Sequence, residues 1–330
     1  MKKTAVWLLS VLMILSLLIG CTKAPDPADP GEPVTVRLGG LKGPTTMGMV
    51  KLLDDAENGL TENRYEFTMA AAADELSPKF LKGELDILAV PANLGSVLCN
   101  NANGAVRVIA VNTLGVLYIL EKGGDTIHGM ADLKGQTIYA TGKNTTPEFA
   151  LNYLLTQNGL DPAADVTVEW KSEPTEVVAQ MAALDHAVAM MPQPFVTVAS
   201  NQLDDLRVAV DMTEAWNESG SDSQLITATL IVRRDFADEH PEAVRTFLRE
   251  YAASTDYVNA NPADAAALVE RYGIVKAPIA EQAIPFCNLV SITGDEMKSA
   301  LAGYLRVLYD QNPNAVGGAL PGDDYYLIYE

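Results

Sequence analysis

The sequence has few histidines and few cysteines, and this scarcity limits the chemistry that it can support. Its 330 residues include three of each. His128, His186 and His240 form no cluster, so a histidine-based metal centre is not expected. Cys99 and Cys287 follow no disulfide or metal-site spacing, and we expect two separate buried thiols, with a disulfide as the alternative. The sequence therefore predicts no metal and no cofactor.

Basic residues are also scarce. The chain has 23 lysines and arginines against 43 aspartates and glutamates, which gives a formal net charge of −20. A nucleic-acid partner is not expected, because Lys and Arg contacts with phosphates dominate that kind of affinity. Such an acidic surface favours solubility instead. After the N-terminal apolar segment, no apolar run reaches the roughly 18 residues that a membrane span needs.

The N-terminal part of the chain has the composition of an export and anchoring segment. Two lysines precede the apolar run "AVWLLSVLMILSLLI", which ends in Leu18-Ile19-Gly20-Cys21. This ending resembles the lipobox of bacterial lipoproteins, which implies a signal peptide at 1–20 and lipidation of Cys21. An ordinary secretory signal or an N-terminal membrane anchor is the alternative. The Pro- and Asp-rich stretch that follows cannot bury apolar surface, so 21–33 is predicted to be a disordered tether.

The remaining chain is longer than one typical domain core and contains a repeated pattern. Three strands alternate with two helices over 34–93, in "VTVRLGG", "YEFTMAA" and "ILAVPAN". The same β-α-β-α-β order returns over 136–194, in "QTIYATG", "VTVEW" and "HAVAMMPQP". Continuous apolar strands such as "ILAVPAN" are typical of parallel sheets that are buried on both faces. We therefore predict two related α/β lobes.

Two further segments predict how these lobes are joined. "VRVIAVNTLGVLYILE" (106–121) is too long for one strand and is interrupted before Gly115, so it should cross from one lobe to the other. Residues 206–234 would make the return crossing, and the C-terminal helices should pack back on the first lobe. The fold class is thus α/β, with two Rossmann-like lobes joined by a two-segment hinge. The hinge is predicted at 112–118 and 216–225, lobe 1 at 34–115 and 225–330, and lobe 2 at 116–224.

Each repeat contains a polar loop that leads into a helix. The loop "LKGPTTMGMVKLL" (41–53) and the loop "GKNTTPEFALNYLL" (142–155) both place a Lys before a Thr-Thr pair. A helix N-terminus offers unpaired N–H groups and a partial positive charge, which suit a polar or anionic ligand. In open α/β sheets, ligands bind beyond the carboxyl ends of the strands, so both loops should face one cleft. The alternative is that the Thr hydroxyls only cap the helices and the lysines are simply solvated.

Further candidates follow the third strand of each repeat or lie at the first crossing. Amide side chains in these places can recognise polar atoms of a ligand, and a strand-ending turn is their alternative role. The aromatic residues that could stack on a ligand are Tyr118, Phe149, Phe195 and Trp216, with core packing as the alternative for each. The predicted ligand-binding residues are Leu41, Lys42, Thr45, Thr46, Pro91, Asn93, Asn112, Thr113, Lys143, Asn144, Thr145, Thr146, Met191 and Gln193.

Together these features resemble type II solute-binding proteins of bacterial ABC importers, nearest the group for nitrate, sulfonate, taurine and thiamine-pyrimidine uptake. The resemblance rests on the lipobox, the acidic tether, the loop "LKGPTTMGMVKLL" and the strand ends "KGELDILAVPAN" and "AALDHAVAMMPQP". It implies a monomer, lipid-anchored at Cys21 on the extracytoplasmic face of the cell membrane and without enzymatic activity. It also implies that a small polar or anionic solute binds between the lobes, which close over it for delivery to a membrane permease.

The ligand and two other functions stay open at this point. The lysines and threonines of the loops suit a sulfonate- or nitrate-like anion, while amide and aromatic side chains suit a neutral heterocycle of the thiamine-pyrimidine kind. An enzyme of the pyrimidine-synthase type on the same bilobed fold is one alternative, but the sequence contains no nucleophile motif such as Gly-x-Ser-x-Gly. A ligand-sensing surface lipoprotein is the other.

Overall fold

The computed structural model describes residues 33–329, which form two β-sheets with helices around them. The predicted signal peptide, the lipidation site at Cys21 and all of the tether except Pro33 lie outside the described residues. From Val34 onward the chain packs as one compact unit. Within the described part, no helix has both the length and the apolar character required to cross a membrane.

The strands of the two repeats lie where the sequence predicts them, whereas the last strand lies in the C-terminal region, for which the sequence predicts only helices. The described chain contributes strands to both sheets. In chain order they are β1 (Thr35–Leu41), β2 (Arg64–Ala70), β3 (Ile87–Pro91), β4 (Val106–Leu114), β5 (Leu117–Lys122), β6 (Thr137–Ala140), β7 (Thr167–Trp170), β8 (Ala187–Pro192), β9 (Leu206–Asp211), β10 (Ile226–Arg233) and β11 (Leu289–Ile292). The first sheet has the order β11-β4-β10-β3-β1-β2, and the second has the order β7-β6-β8-β5-β9.

The two sheets share one topology. In the first, β1 pairs in parallel with β2 and β3, and in the second, β6 pairs in parallel with β7 and β8. Each third strand then pairs antiparallel with a strand that directly follows a crossing between the sheets, β10 in the first sheet and β5 in the second. β3 and β8 are buried on both faces, as expected for strands within parallel sheets. The repeat and the predicted fold class are confirmed.

Helices connect the strands within each repeat and form the C-terminal region. They are α1 (Pro44–Met47), α2 (Val50–Glu57), α3 (Ala73–Leu81), α4 (Ala92–Asn101), α5 (Thr146–Gln157), α6 (Pro174–Ala182), α7 (Phe195–Gln202), α8 (Met212–Glu218), α9 (Arg234–Glu239), α10 (Pro241–Ala260), α11 (Pro262–Arg271), α12 (Ala277–Ala283) and α13 (Gly294–Gln311). Short 3-10 turns occur at Met130–Leu133, Ile284–Phe286, Pro313–Val316 and Asp323–Tyr325.

The first crossing is shorter than the sequence predicts. Only Gly115 and Val116 lie between β4 and β5, because β10 and β11 pair along β4 as far as Leu114 and Thr113 respectively. Asn112 and Thr113 are therefore part of the first sheet, and the predicted hinge at 112–118 includes strand residues on both sides of the crossing. The return crossing consists of α8 and the residues that follow it up to β10.

The helix that follows the first polar loop is interrupted, although Met47, Val50 and Leu53 have the spacing of one continuous amphipathic helix. Gly48 and Met49 separate α1 from α2. The carbonyl of Gly48 accepts hydrogen bonds from Ser254 Oγ at 2.7 Å and from Thr255 Oγ1 at 3.3 Å. A Cβ at Gly48 would lie 2.8 Å from the Tyr251 hydroxyl. Close packing against α10 therefore accompanies the break between α1 and α2. This is a tertiary contact, and the spacing of apolar residues along the chain cannot reveal it.

The C-terminal helix α13 packs on both halves of the molecule. Its Tyr304 ring lies 5.6 Å from the Trp216 ring, which in turn lies 4.5 Å from the Tyr153 ring of α5. Trp216 and Tyr304 are fully buried in an apolar cluster that also contains residues from strands of both sheets. The C-terminal helices are expected on the first lobe, and α13 in addition contacts Trp216 of the predicted lobe 2, which is a core residue. Cys99 and Cys287 are buried, free thiols, as predicted.

Candidate functional site

In the first polar loop, both threonine hydroxyls bond to the backbone of the loop itself. Thr45 Oγ1 and Thr46 Oγ1 donate to the carbonyl of Leu41 at 3.0 and 2.6 Å. Both side chains are buried, and neither hydroxyl caps α1, so the helix-cap role is wrong here. Gly43 has a φ of 145°, which L side chains rarely adopt. The threonines thus fix the shape of the loop, while the side chain of Lys42 is exposed.

The second polar loop is built differently. Thr145 Oγ1 donates to the carbonyl of Gly142 at 2.7 Å and makes no cap on α5. Asn144, in the left-handed region at a φ of 62°, donates its backbone N–H to the carboxylate of Glu148. Lys143 and Asn144 are exposed. Because Glu148 already places a negative charge at the start of α5, a second anion there would meet repulsion.

Two predicted residues from different repeats meet between the sheets. Thr146 Oγ1 lies 3.4 Å from Asn93 Oδ1, and both side chains are buried. Asn93 also donates from Nδ2 to the carbonyl of Ala315 at 3.0 Å. The sequence suggests a turn after β3, yet Asn93 lies in the first turn of α4, which begins directly after Pro91. Thr146 and Asn93 therefore form a polar contact between the two repeats.

Asn112 joins the first crossing strand to the first loop. Its Nδ2 donates to the carbonyl of Thr45 at 2.9 Å, and the side chain is fully buried. At the end of β8, Gln193 has a comparable role: its backbone N–H donates to the carbonyl of Val116 in the crossing, and its Oε1 accepts from Thr197 Oγ1 at 2.9 Å. Met191 is buried in the apolar core beside β8. The Asn112 side chain thus ties the first loop to β4, whereas Gln193 bonds to the crossing through its backbone.

Several buried polar atoms in this region have no hydrogen-bond partner among residues 33–329. They are Asn112 Oδ1, Thr113 Oγ1, Thr229 Oγ1 and the Tyr304 hydroxyl. Tyr304 lies near Thr146 without a hydrogen bond of good geometry. A Cβ at Gly95 in α4 would lie 3.4 Å from Thr229 Oγ1. Buried polar groups are normally paired, so each of these oxygens is a candidate contact for a polar molecule. They do not form one cluster, because Asn112 and Thr229 face opposite sides of the first sheet.

Sequence reasoning missed Thr229 and Tyr304. Thr229 lies within a strand whose other residues are mostly apolar, and Tyr304 lies on the buried stripe of α13, so both resemble ordinary core positions. The remaining aromatic candidates also pack in apolar surroundings. Tyr118 and Phe195 are buried in the core beside β8, and burial raises the pKa of Tyr118 to about 12. Phe149 is half-buried against the core that contains α5.

The buried carboxylates of the described residues lie in ion-pair networks rather than among these hydroxyls. Asp86 accepts from Arg37 Nε at 2.8 Å and from the backbone N–H of Arg37 at 2.9 Å. Glu121 pairs with Arg207 and accepts from Thr126 Oγ1 at 2.6 Å. Burial alone would raise the pKa of Glu121, but hydrogen bonds from the Thr126 hydroxyl and from the backbone N–H groups of Ile127 and Thr126 lower it to about 2. The polar contacts between the repeats are therefore made by uncharged groups.

A groove of about 420 Å³ lies on the second sheet's side of the molecule, away from the predicted residues. Three acidic side chains line it together with amide and apolar groups: Asp211, Glu214 and Glu218 beside Gln157, Asn158 and Met130. None of the predicted ligand-binding residues lines this groove. Among the described residues, no group of three or more His, Cys, Asp or Glu side chains is arranged to hold a metal ion.

Known proteins share this architecture. A model of the NMT1-like family matches residues 30–273. An ABC transporter structure from Parabacteroides distasonis matches with a TM-score of 0.74 at 19% identity, covering 90% of this chain and 100% of that chain. The aliphatic sulphonate binding protein SsuA from Escherichia coli matches with a TM-score of 0.70 at 17% identity, covering 87% and 91%.

A third solved structure is the periplasmic nitrate-binding protein NrtA from Synechocystis PCC 6803. It has a TM-score of 0.64 at 13% identity, covering 85% of this chain and 82% of that chain. At these identities the similarity shows the fold. No curated protein matches the sequence.

Proposed function

This chain belongs to the NMT1-like family, and we propose that it is the extracytoplasmic solute-binding lipoprotein of an ABC importer. It captures a small polar solute between its two lobes and delivers the solute to a permease in the membrane. The shared fold supports this proposal, because solved proteins of the same architecture are a sulphonate binding protein and a nitrate-binding protein. We assign 34–115 and 225–330 to lobe 1, and 116–224 to lobe 2.

The observation that carries the proposal is the contact between the two lobes at predicted residues. Thr146 of lobe 2 faces Asn93 of lobe 1 at 3.4 Å, and the unpaired Tyr304 hydroxyl lies beside Thr146. Asn112 and Thr229 add further unpaired oxygens in lobe 1. Leaving such a group unpaired costs roughly 1–3 kcal/mol of free energy. A polar solute that forms hydrogen bonds with these groups would remove this cost, which would strengthen its binding. We propose that the solute lies against Asn93, Asn112 and Thr146.

The chemistry of this lining favours an uncharged solute, such as a heterocycle of the thiamine-pyrimidine kind. The buried groups between the lobes are hydroxyls and amides, and burying an anion among them without a cation would be costly. Glu148 also occupies the N-terminus of α5. A sulfonate- or nitrate-like anion would depend on Lys42 and Lys143, whose side chains are exposed. Amides and hydroxyls that both donate and accept suit a ring with nitrogen atoms and amino groups.

The cellular setting of the proposal follows from the N-terminal sequence. We propose that Cys21 carries the lipid anchor, that the protein acts as a monomer on the outer face of the cell membrane, and that it has no catalytic activity. A ligand-sensing surface lipoprotein is the competing function on the same fold. A permease gene beside this one would favour the importer, and turnover of a bound solute would favour the enzyme of the pyrimidine-synthase type.

Calorimetric titration tests the solute class. We expect a hydroxymethyl-substituted aminopyrimidine to bind, and nitrate and methanesulfonate to bind at least tenfold more weakly. A Thr146→Val variant should weaken binding of the pyrimidine about two- to tenfold, since one hydrogen bond to a neutral group contributes about 0.5–1.5 kcal/mol. Tight binding of nitrate or methanesulfonate, lost at high salt, would overturn the uncharged-solute proposal.

A further inference from the structure

The segment from Ile274 to Asn288, called here the clasp segment, joins α11 to β11 and contains α12. Most of it belongs to lobe 1. Ile274, Ala280 and Cys287 are buried in an apolar cluster with residues of α2, α10 and α11. Cys287 Sγ lies 3.9 Å from the Sδ of Met47, the residue that directly follows the Thr-Thr pair of the first loop. The clasp segment is thus anchored beside the first polar loop.

The same segment touches the crossing between the lobes. The backbone N–H of Leu114 donates to the carbonyl of Asn288 at 3.1 Å, and Asn288 Nδ2 donates to the carbonyl of Gly115 at 2.5 Å. Gly115 is one of the two residues that separate β4 from β5. Movement at this crossing therefore changes the position of lobe 2 relative to the clasp segment.

The clasp segment also contacts lobe 2 directly. Val275 is half-buried and packs against two apolar clusters, one in lobe 1 and one around β8 and α7 in lobe 2. Gln282 in α12 accepts a hydrogen bond from Asn201 Nδ2 of α7 at 3.1 Å, between exposed side chains. One amide pair thus connects α12 with α7, and the side chain of Val275, just before α12, packs on the apolar cluster around β8 and α7.

These contacts are weak compared with those made by α13. Trp216 and Tyr304 are fully buried and stack within one apolar cluster, whereas Val275 is half-buried and the amide pair is exposed to water. An exposed hydrogen bond competes with water, so its net contribution is small. Contacts of this size can form and break as the lobes move, while the buried aromatic contact acts as a fixed support.

We infer that Val275 and Gln282 are positioning residues. Their contacts with lobe 2 set how far the two lobes separate and thereby set the affinity for a solute held between them. The inference rests on the proposed function for its effect on affinity, but the effect on lobe separation stands without a solute. When the clasp contacts break, the fraction of molecules with closed lobes falls, and the apparent affinity falls in proportion.

A distance measurement by pulsed electron paramagnetic resonance tests this directly. Spin labels at Ala71→Cys and Ser172→Cys would report the separation, because both positions are exposed and follow the edge strands β2 and β7 of the two sheets. We expect the full chain to show mainly one short distance. Gln282→Ala should raise the share of longer distances about twofold, as expected for the loss of one exposed hydrogen bond, and the Val275→Ala/Gln282→Ala variant should raise it further.

A matched control and a double-mutant cycle complete the test. Val34→Ala removes the same atoms from a half-buried valine that packs only within lobe 1, and it should leave the distances unchanged. Once Gln282 is Ala, Asn201→Ala should have no additional effect, because the two side chains act through one hydrogen bond. Gln282→Ala is an exposed substitution, so it tests the inference even if Val275→Ala folds poorly.

The outcomes separate this inference from the proposed function. Unchanged distances in Gln282→Ala and in the double variant would overturn the clasp, whatever solute binds. Longer distances together with no binding of the aminopyrimidine, nitrate or methanesulfonate would refute the proposed function and support the clasp. If one of these solutes binds, the fold-loss of affinity in each variant should match the fold-loss of the fraction of molecules with closed lobes. Unchanged affinity together with longer distances would overturn the positioning role.

Discussion

Replacing Gly48 with alanine should destabilise the protein, although the local backbone predicts the opposite. Gly48 has a φ of −66° and a ψ of −17°, which alanine adopts without strain. At such a position Gly→Ala normally stabilises a protein by about 0.4–1 kcal/mol, because it restricts the unfolded chain. Here the new Cβ would lie 2.8 Å from the Tyr251 hydroxyl and 3.1 Å from Thr255 Oγ1. Overpacking of this kind costs about 1–3 kcal/mol, so we expect a net loss of about 1–2 kcal/mol.

The Gly48→Ala substitution should also affect the candidate site, because the new Cβ would displace the Tyr251 side chain. The Tyr251 hydroxyl donates to the carbonyl of Val290 at 3.3 Å and lies near the side chain of Asn112. A shift of Tyr251 would therefore disturb Asn112, whose Nδ2 holds the first polar loop through the carbonyl of Thr45. We expect Gly48→Ala to weaken solute binding as well as stability.

Urea denaturation of both variants measures the effect on the free energy of unfolding. Gly129→Ala is the matched control, because the backbone there is extended and a Cβ at Gly129 meets no atom within 4 Å. The control should be neutral or slightly stabilising. Equal stability of Gly48→Ala and Gly129→Ala would refute the packing explanation of the break between α1 and α2.

Three further predictions concern charge, the anchor and the loops. The pKa of Glu121 is lowered from 4.5 to about 2. Its contribution to the free energy of unfolding is therefore fully present above pH 4.5 and is lost as the pH falls towards 2. The acid unfolding of Glu121→Gln, followed by circular dichroism, should lack that part of the pH dependence. Cys21→Ala should leave the precursor unprocessed or release the protein from the membrane, as fractionation would show. Lys42→Met and Lys143→Met should each leave the affinity for the aminopyrimidine within about twofold at low salt, and a large loss in calorimetry would contradict a lining of uncharged groups.

The sequence predicts the fold well because its signals are local and repeated. Each β-α-β-α-β unit has apolar strands that end in proline, such as Pro91 and Pro192, and helices that begin with proline, as at Pro147. A buried parallel strand needs a continuous apolar run, and a crossing needs a break such as Gly115. These requirements are met by neighbouring residues, so they can be recognised without knowing the tertiary contacts.

The site is predicted less well because its details depend on contacts between distant residues. The sequence predicts that the Thr-Thr pairs contact a ligand or cap a helix, but the hydroxyls of Thr45 and Thr46 both bond to one backbone carbonyl. Tyr304 reaches the lobe contact only because α13 returns to α5 at the end of the chain. The pairing of Asn201 with Gln282 likewise joins residues with no common motif. The predicted ligand-binding residues stay a prediction until solute binding is measured.

The central claim is that a small polar solute binds between the lobes at Asn93, Asn112 and Thr146. Native mass spectrometry of the full chain, purified from cells that produce it, tests this claim most directly. We predict that wild type carries one small uncharged molecule, and that an Asn112→Ala/Thr146→Val variant with unchanged circular dichroism loses it. Wild type without any bound molecule, or equal retention of the molecule by this variant, would contradict the account.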